Sequence, residues 1–436
     1  MLSLKSSPFL TVKTFLSFSA LAHAIAAWIA VGLPRMAIAD PVTASAADAF
    51  VDSIGVNIHL HYNDTIYGDF QKVKGGLQNL GVRHVRDGLV DTGWQPYLDG
   101  HNELAAAGIR CTFIVSLPLD KLAPVAQKLT ASIEAFEGPN EVNLNQWTVE
   151  DAKAYQRDLW NTVKASAFAA TPVVALSVTD FDWAKKLGDL SEWCDYGNVH
   201  PYPGGWEPEN GASFMRADLP SGIESARASS GSKPIMITET GYHNATSEGG
   251  GHVPVSVHAA GIYLPRLFLN NYRHKIVRTF WYEMMNSGAS TSDPEANFGL
   301  YLNDGITLKP GGRAMKQMIG LLADPGNAFK TGSLDFQLSE PKAQSVLLQK
   351  RNGEFWLALW LKSNLWDESR AYGKKEEVDP PDSACKVTLN GAFKAVTIHE
   401  QLDAETPSSR SASDPGNVDL TLCERVMFLQ IVPAKN

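Results

Sequence analysis

Cysteine is scarce in this chain. There are four among 436 residues, Cys111, Cys194, Cys385 and Cys423, and none has a neighbour at the short spacing of a zinc site. Basic residues are outnumbered, 38 Lys and Arg against 47 Asp and Glu, so the formal charge is −9. An acidic chain is a poor partner for nucleic acid or an anionic membrane, and neither is expected here. No G-x-S-x-G elbow, no H-E-x-x-H helix, no glycine-rich phosphate loop and no solenoid-length repeat is present. Serine-hydrolase and nucleotide chemistry therefore lack support, and no cofactor or metal is expected. One long apolar run exists, from about Phe15 to Leu33.

That run follows Lys5 and Lys13 and ends near the small residues Ala37, Ile38 and Ala39, the pattern of a signal peptide over 1–39. A single membrane anchor is the alternative, but Ser17, Ser19 and His23 dilute a stretch already near the lower length for spanning. The segment holds three positive charges, with Arg35, and no acid, so its removal takes the formal charge from −9 to −12. The expected location is secreted or periplasmic, with no stable membrane partner. In an exported chain four cysteines permit two disulfides, most simply 111 with 194 and 385 with 423.

What the chain does have, at 44% hydrophobic and 19% charged residues, is ordinary globular composition. From about 50 to 323, short β-branched runs alternate with amphipathic stretches, the pattern of a parallel sheet wrapped by helices. Eight strands are expected, at 54–60, 82–88, 109–115, 133–138, 172–178, 196–202, 234–240 and 276–284. Thr148 to Asp151 reads as a capping box at a helix start. Eight such units make an α/β fold, a (β/α)8 barrel over 40–324, with chemistry at the carboxyl ends of the strands. Beyond 325 the helical period stops, and runs such as EFWLALWL and CKVTLNG indicate an all-β sandwich over 325–436.

In that frame Glu141 lies just past the fourth strand, behind Gly138 and Pro139, and Glu239 closes the seventh. Two carboxylates facing each other over a barrel are what cleavage of a glycosidic bond requires, one as proton donor and one for the anomeric carbon. The motifs PNE at 139–141 and TETG at 238–241 resemble those of glycoside hydrolase clan A, and the trailing sandwich resembles the accessory domain of families such as 39 and 30. The resemblance implies a retaining glycosidase with a carbohydrate substrate, Glu141 as acid/base, Glu239 as nucleophile and Asn140 on the sugar 2-hydroxyl. It also implies Arg86 on strand two as partner of the nucleophile, His200 and Tyr202 on strand six as site residues, and Trp281 on strand eight as a sugar platform. The oligomeric state is not legible.

Two further readings stay open. His59 and His61 end the first strand with one residue between them, where metal-dependent amidohydrolase barrels also place a histidine pair. Strand five supplies no histidine and strand four no lysine, so the pair reads instead as hydrogen-bonding residues of a sugar subsite. A non-catalytic carbohydrate-binding barrel is the other reading, and both glutamates would be superfluous there. Glu137 reads as a buried pairing group. The loops 203–220 and 243–254 are expected to overhang the site.

Overall fold

The computed structural model describes residues 40–434 apart from 91–92, 130, 212–217, 247–252 and 368–375. The signal segment read at 1–39 lies outside the described residues, as do parts of the two loops expected to overhang the site. Among the described residues no helix is long and apolar enough to cross a membrane.

All eight expected strands form: β1 (Ile54–Asn57), β2 (His84–Leu89), β3 (Arg110–Val115), β4 (Ile133–Glu137), β5 (Val173–Val174), β6 (Gly197–Asn198), β7 (Ile235–Thr240) and β8 (Arg278–Trp281). They make one parallel sheet in the order β5-β4-β3-β2-β1-β8-β7-β6, and a Val174–Tyr196 bridge joins its two edges into a barrel. Helices cover the outside, so the strands are buried on both faces and read as continuous apolar runs. Side chains cap the starts of several of these helices. Asp69 accepts from Lys72 N ahead of α1 (Phe70–Leu80), and Thr148 accepts from Asp151 N ahead of α2 (Val149–Lys164), at the capping box read in the sequence.

Strands β5 and β6 are much shorter than the seven-residue runs expected. Beyond Val174 the backbone finds side-chain partners in place of ladder partners: Leu176 N donates to Gln156 Oε1 at 2.9 Å, and Ala175 O accepts from Asn198 Nδ2 at 3.1 Å. The chain is thus freed to turn toward the site.

The sandwich contains β9 (Ser333–Leu338), β10 (Ala343–Gln349), β11 (Phe355–Leu361), β12 (Ser383–Asn390), β13 (Phe393–Glu400), β14 (Ser408–Ser411), β15 (Asn417–Leu422) and β16 (Met427–Pro433). Residues from before the barrel complete both sheets: Val42–Thr43 pairs with β9, and Ser45–Ala46 with β10. Strand β11 shows no polar alternation because each face meets a different core. Phe355, Leu357, Leu359 and Leu361 point into the sandwich, whereas Trp356, Ala358 and Trp360 join the core of the barrel.

The expected disulfides do not form; all four cysteines are free thiols. Cys111 lies in β3, and β4 separates that strand from β5 and the chain around Cys194. Cys385 faces Leu420 across the β12–β15 pair, three residues short of Cys423. Sheet order and register, which spacing does not reveal, keep both pairs apart.

The floor of the barrel is a charged cluster. His84 bonds Glu134 at 2.8 Å and Asp52 at 3.1 Å, and Arg278 donates to Glu134 at 2.7 Å. Burial alone would push His84 down, but its two carboxylate partners hold it above its ordinary value of 6.5. The hydrogen bond from His84 chiefly holds Asp52 below its ordinary value; Glu134, which burial would raise, is held down by His84 and Arg278. Stability from His84 is therefore fully present below 6.5 and fades as pH rises through its raised folded value. The contributions of the two acids behave oppositely, fading as pH falls. His84→Gln is expected to lower Tm more at about pH 6 than at about pH 9. Calorimetry at both values checks this, and equal losses would contradict it.

Candidate active site

Strand alternation turns Arg86 of β2 into the barrel, where it is 1% exposed. Its five N–H groups are all engaged. Nε and Nη2 grip Glu137 at 2.8 Å each, Nη1 donates to Asn57 Oδ1 at 2.9 Å and Glu239 Oε1 at 2.5 Å, and Nη2 also donates to Asn140 Oδ1 at 2.6 Å. One guanidinium thus ties the ends of β1, β4 and β7 to β2. Glu137, 0% exposed, is the buried pairing group read from the sequence, with Asn198 Nδ2 at 3.0 Å as a further donor.

Glu239 receives a second donor, Tyr202 Oη at 2.9 Å on Oε2, and His200 Nδ1 stands 3.7 Å from the same oxygen. Burial alone would push its carboxyl up. The charges of His200 and Arg86, with the hydrogen bonds from Arg86 and Tyr202, more than offset that and hold it below the ordinary carboxylate range. Glu239 is therefore an ionised, oriented carboxylate.

Glu141 reaches the same place by an unusual backbone. Gly138 is required just before it, since a Cβ there would sit 2.2 Å from Gln156 Oε1 and 2.7 Å from Leu176 N. Glu141 itself takes a left-handed conformation, φ 43° and ψ 53°, a strained one for a residue with a side chain. Its N–H donates to Ser177 Oγ at 2.9 Å, and its carbonyl accepts from Leu144 N at 2.9 Å and Asn145 Nδ2 at 3.2 Å. These bonds hold the strain and point the carboxylate at His200, whose Nδ1 lies 2.8 Å from Oε1.

The protonation of His200 follows from its other neighbour. Nε2 lies 2.8 Å from Thr238 Oγ1, and that hydroxyl lies 3.0 Å from Glu137 Oε1 and 2.8 Å from Asn198 Oδ1, both acceptors. The threonine has one proton, which goes to an oxygen acceptor, so Oγ1 accepts from Nε2–H. A single proton is then shared along the Nδ1–Oε1 line. On Nδ1 it makes an imidazolium beside Glu239; on Oε1 it makes Glu141 a carboxylic acid.

One oxygen each of Glu141 and Glu239, together with a ring nitrogen of His200, lie within 4.8 Å of one another. Above them is a cleft of about 540 Å³, in the range of small-molecule sites. Of the residues expected at a site, Asn140, Glu141, Glu239, Arg86, His59, His61 and Tyr202 line it. With Oδ1 of Asn140 taken by Arg86, its amide nitrogen is left to donate to a ligand. His200 lies beneath, touching both glutamates.

Trp281 is placed differently from the expectation. It is 2% exposed, donates its indole N–H to Phe298 O at 3.2 Å, and does not line the cleft. Its successor Tyr282 does line it, as does Tyr62, which is 42% exposed and stacks on His59 at 4.6 Å. The described parts of the two long loops, 203–211, 218–220, 243–246 and 253–254, do not line it either. Asn57, Asn198 and Thr238 were missed in the sequence, although each is a polar residue in or ending an apolar strand, which is the signal that marks such positions.

The histidine pair does not converge on a common point. His59 Nε2 is 3.3 Å from Glu283, and His61 Nδ1 is 3.1 Å from Asp87. Burial would lower His59, but Glu283, with Asp87 and Glu239 farther off, holds it above its ordinary value. That favours the imidazolium, which would have to shed its proton before it could ligate a metal.

No protein-family profile and no curated protein matches the chain. Solved structures do. A family 39 glycoside hydrolase from Bacteroides cellulosilyticus WH2 is 15% identical with a TM-score of 0.60, over 89% of this chain and 83% of that one. The GH39 enzyme of Xanthomonas axonopodis pv. citri is 16% identical with a TM-score of 0.60, over 92% and 100%. A monomeric beta-xylosidase from Caulobacter crescentus CB15 is 16% identical with a TM-score of 0.60, over 90% and 98%. At these identities the likeness is one of fold, and it spans barrel and sandwich together.

Removing Arg86 leaves Glu137 and Glu239 without their buried counter-charge. Arg86→Met is expected to cost about 3–5 kcal/mol at neutral pH. The loss should shrink as pH falls far enough to protonate Glu239, whose depressed pKa contributes stability only while it is ionised. Denaturant titrations across pH check both size and direction.

Proposed function

We propose that the chain is a glycoside hydrolase that works by double displacement, with Glu239 as nucleophile and Glu141 as acid/base. The observation that carries the reading is the closeness of the two carboxylates, an oxygen of each within 4.8 Å across His200. Retaining enzymes hold the pair about 5 to 5.5 Å apart, whereas inverting ones leave roughly 6.5 to 9.5 Å for an attacking water. The likeness of fold to family 39 structures supports the same reading.

The two carboxylates differ in the way the chemistry needs. Arg86 and Tyr202 keep Glu239 ionised and aimed, so it can attack an anomeric carbon. Glu141 shares a proton with His200 and can deliver it to the leaving oxygen. Once the aglycone has left, Glu141 is a carboxylate and can take a proton from the water that releases the sugar. Thr238 fixes the histidine tautomer throughout. The substrate is a glycan met outside the cytoplasm, in keeping with the segment at 1–39. The Caulobacter structure is a beta-xylosidase, so aryl β-xylosides head a panel that also includes arabinosides, glucosides and galactosides.

Glu239→Ala is expected to abolish turnover on whichever glycoside the panel identifies, with azide restoring some activity as a glycosyl azide of inverted configuration. Glu141→Ala should lose on the order of 10²–10⁴-fold on substrates with poor leaving groups. The loss should be much smaller on dinitrophenyl glycosides, which need no proton. Full activity of either variant on a poor leaving group would refute the assignment.

A further inference from the structure

The loop that begins at Pro201 and carries Tyr202 is anchored at three points, and one of them reaches the sandwich. Near its start, Pro201 O accepts from Thr240 Oγ1 at 2.7 Å, beside Glu239. In its middle, Trp206 O accepts from Tyr242 Oη at 2.8 Å. At its far end, Glu209 is 7% exposed and takes a two-pronged grip from Arg266 of α3 (Val257–Arg273), at 3.0 and 2.6 Å. Trp360 of β11 then donates its indole N–H to the same carboxylate at 2.6 Å. Arg266 also donates to Ser363 O at 2.8 Å, just beyond β11.

A carboxylate removed from water needs its donors, and here they come from two domains. Burial alone would raise the Glu209 carboxyl; the charge of Arg266 and the hydrogen bonds from Arg266 and Trp360 hold it below its ordinary value. Between Tyr202 and Glu209 the chain is short and folded on itself, with Trp206 N on Pro203 O and Gly211 N on Glu207 O. Movement at Glu209 has little slack in which to dissipate before it reaches the tyrosine.

We propose that the C-terminal sandwich is a working part of the active site: Trp360, through Glu209, positions the loop that presses Tyr202 onto Glu239. Trp360 is a positioning residue and does not line the cleft. The inference rests on the glycosidase reading for its kinetic consequence but not for its structural one. It gives the accessory domain a task that neither stacking nor solubility explains. It also accounts for the two-faced composition of β11, which places an indole donor on the barrel side of the strand.

The test compares Trp360→Phe with Trp356→Phe in the full chain. Both variants remove an indole from the barrel-facing side of β11, but Trp356 Nε1 has no hydrogen-bond partner. Hydrogen exchange over 199–211 and the pH profile of kcat/KM are measured for each. Trp360→Phe is expected to speed exchange in that segment and to lower kcat/KM on the order of tenfold, within the hundredfold that a misplacement of ~1 Å can cost. It should also move the acid limb to higher pH, because Glu239 loses a donor that holds it ionised. Trp356→Phe should change neither. Equal effects of the two variants, or a lower Tm for Trp360→Phe with unchanged exchange and pH profile, would overturn the proposal. If exchange responds but wild type cleaves no glycoside, the coupling stands and the glycosidase reading fails.

Discussion

A buried guanidinium is tolerable only when all five of its N–H groups find acceptors, and meeting that demand organises the centre of this barrel. Arg86 draws Asn57, Glu137, Asn140 and Glu239 to one point from three other strand ends. The planar fork sets direction as well as charge, which a lysine could not do. Glu137 absorbs the bidentate side of the fork, leaving Nη1 to hold Glu239. The charges of His200 and Arg86 then hold that carboxyl below its ordinary range at a depth where burial alone would raise it.

The second constraint is electrostatic insulation between two nearby acids. Glu141 and Glu239 would repel if both were bare. Here the asymmetry is built in. Glu239 faces a permanent cation and a phenol, whereas Glu141 faces an imidazole that either lends or takes one proton. Thr238, caught between Glu137 and His200, carries the influence of the Arg86 cluster into that choice. The strained backbone of Glu141 belongs to the same arrangement, since it turns the acid toward His200.

Much of the barrel was legible because parallel strands covered on both sides leave continuous apolar runs, and all eight were placed. Their lengths were not: β5 ends where Gln156 and Asn198 take over its backbone groups, and such side-chain partners come from elsewhere in the chain. The two glutamates were legible as carboxylates stranded at the ends of apolar runs. The place of Trp281 was not, since an indole suits core and platform equally, and only the partner of its N–H, Phe298 O, decides between them. Cysteine pairing failed for a related reason: it depends on sheet order and register. The Glu209–Trp360 contact could not be read at all, because it spans 151 residues and joins barrel to sandwich.

The central claim is that two glutamates held this close, one kept ionised and one sharing a proton, hydrolyse a glycoside in two inversions. Proton NMR of the first-formed sugar, recorded before mutarotation on the best substrate of the panel, measures this most directly. The account predicts the same anomeric configuration as the substrate. The opposite anomer would mean that water attacks the sugar directly, and it would remove Glu239 from the role of nucleophile whatever the fold.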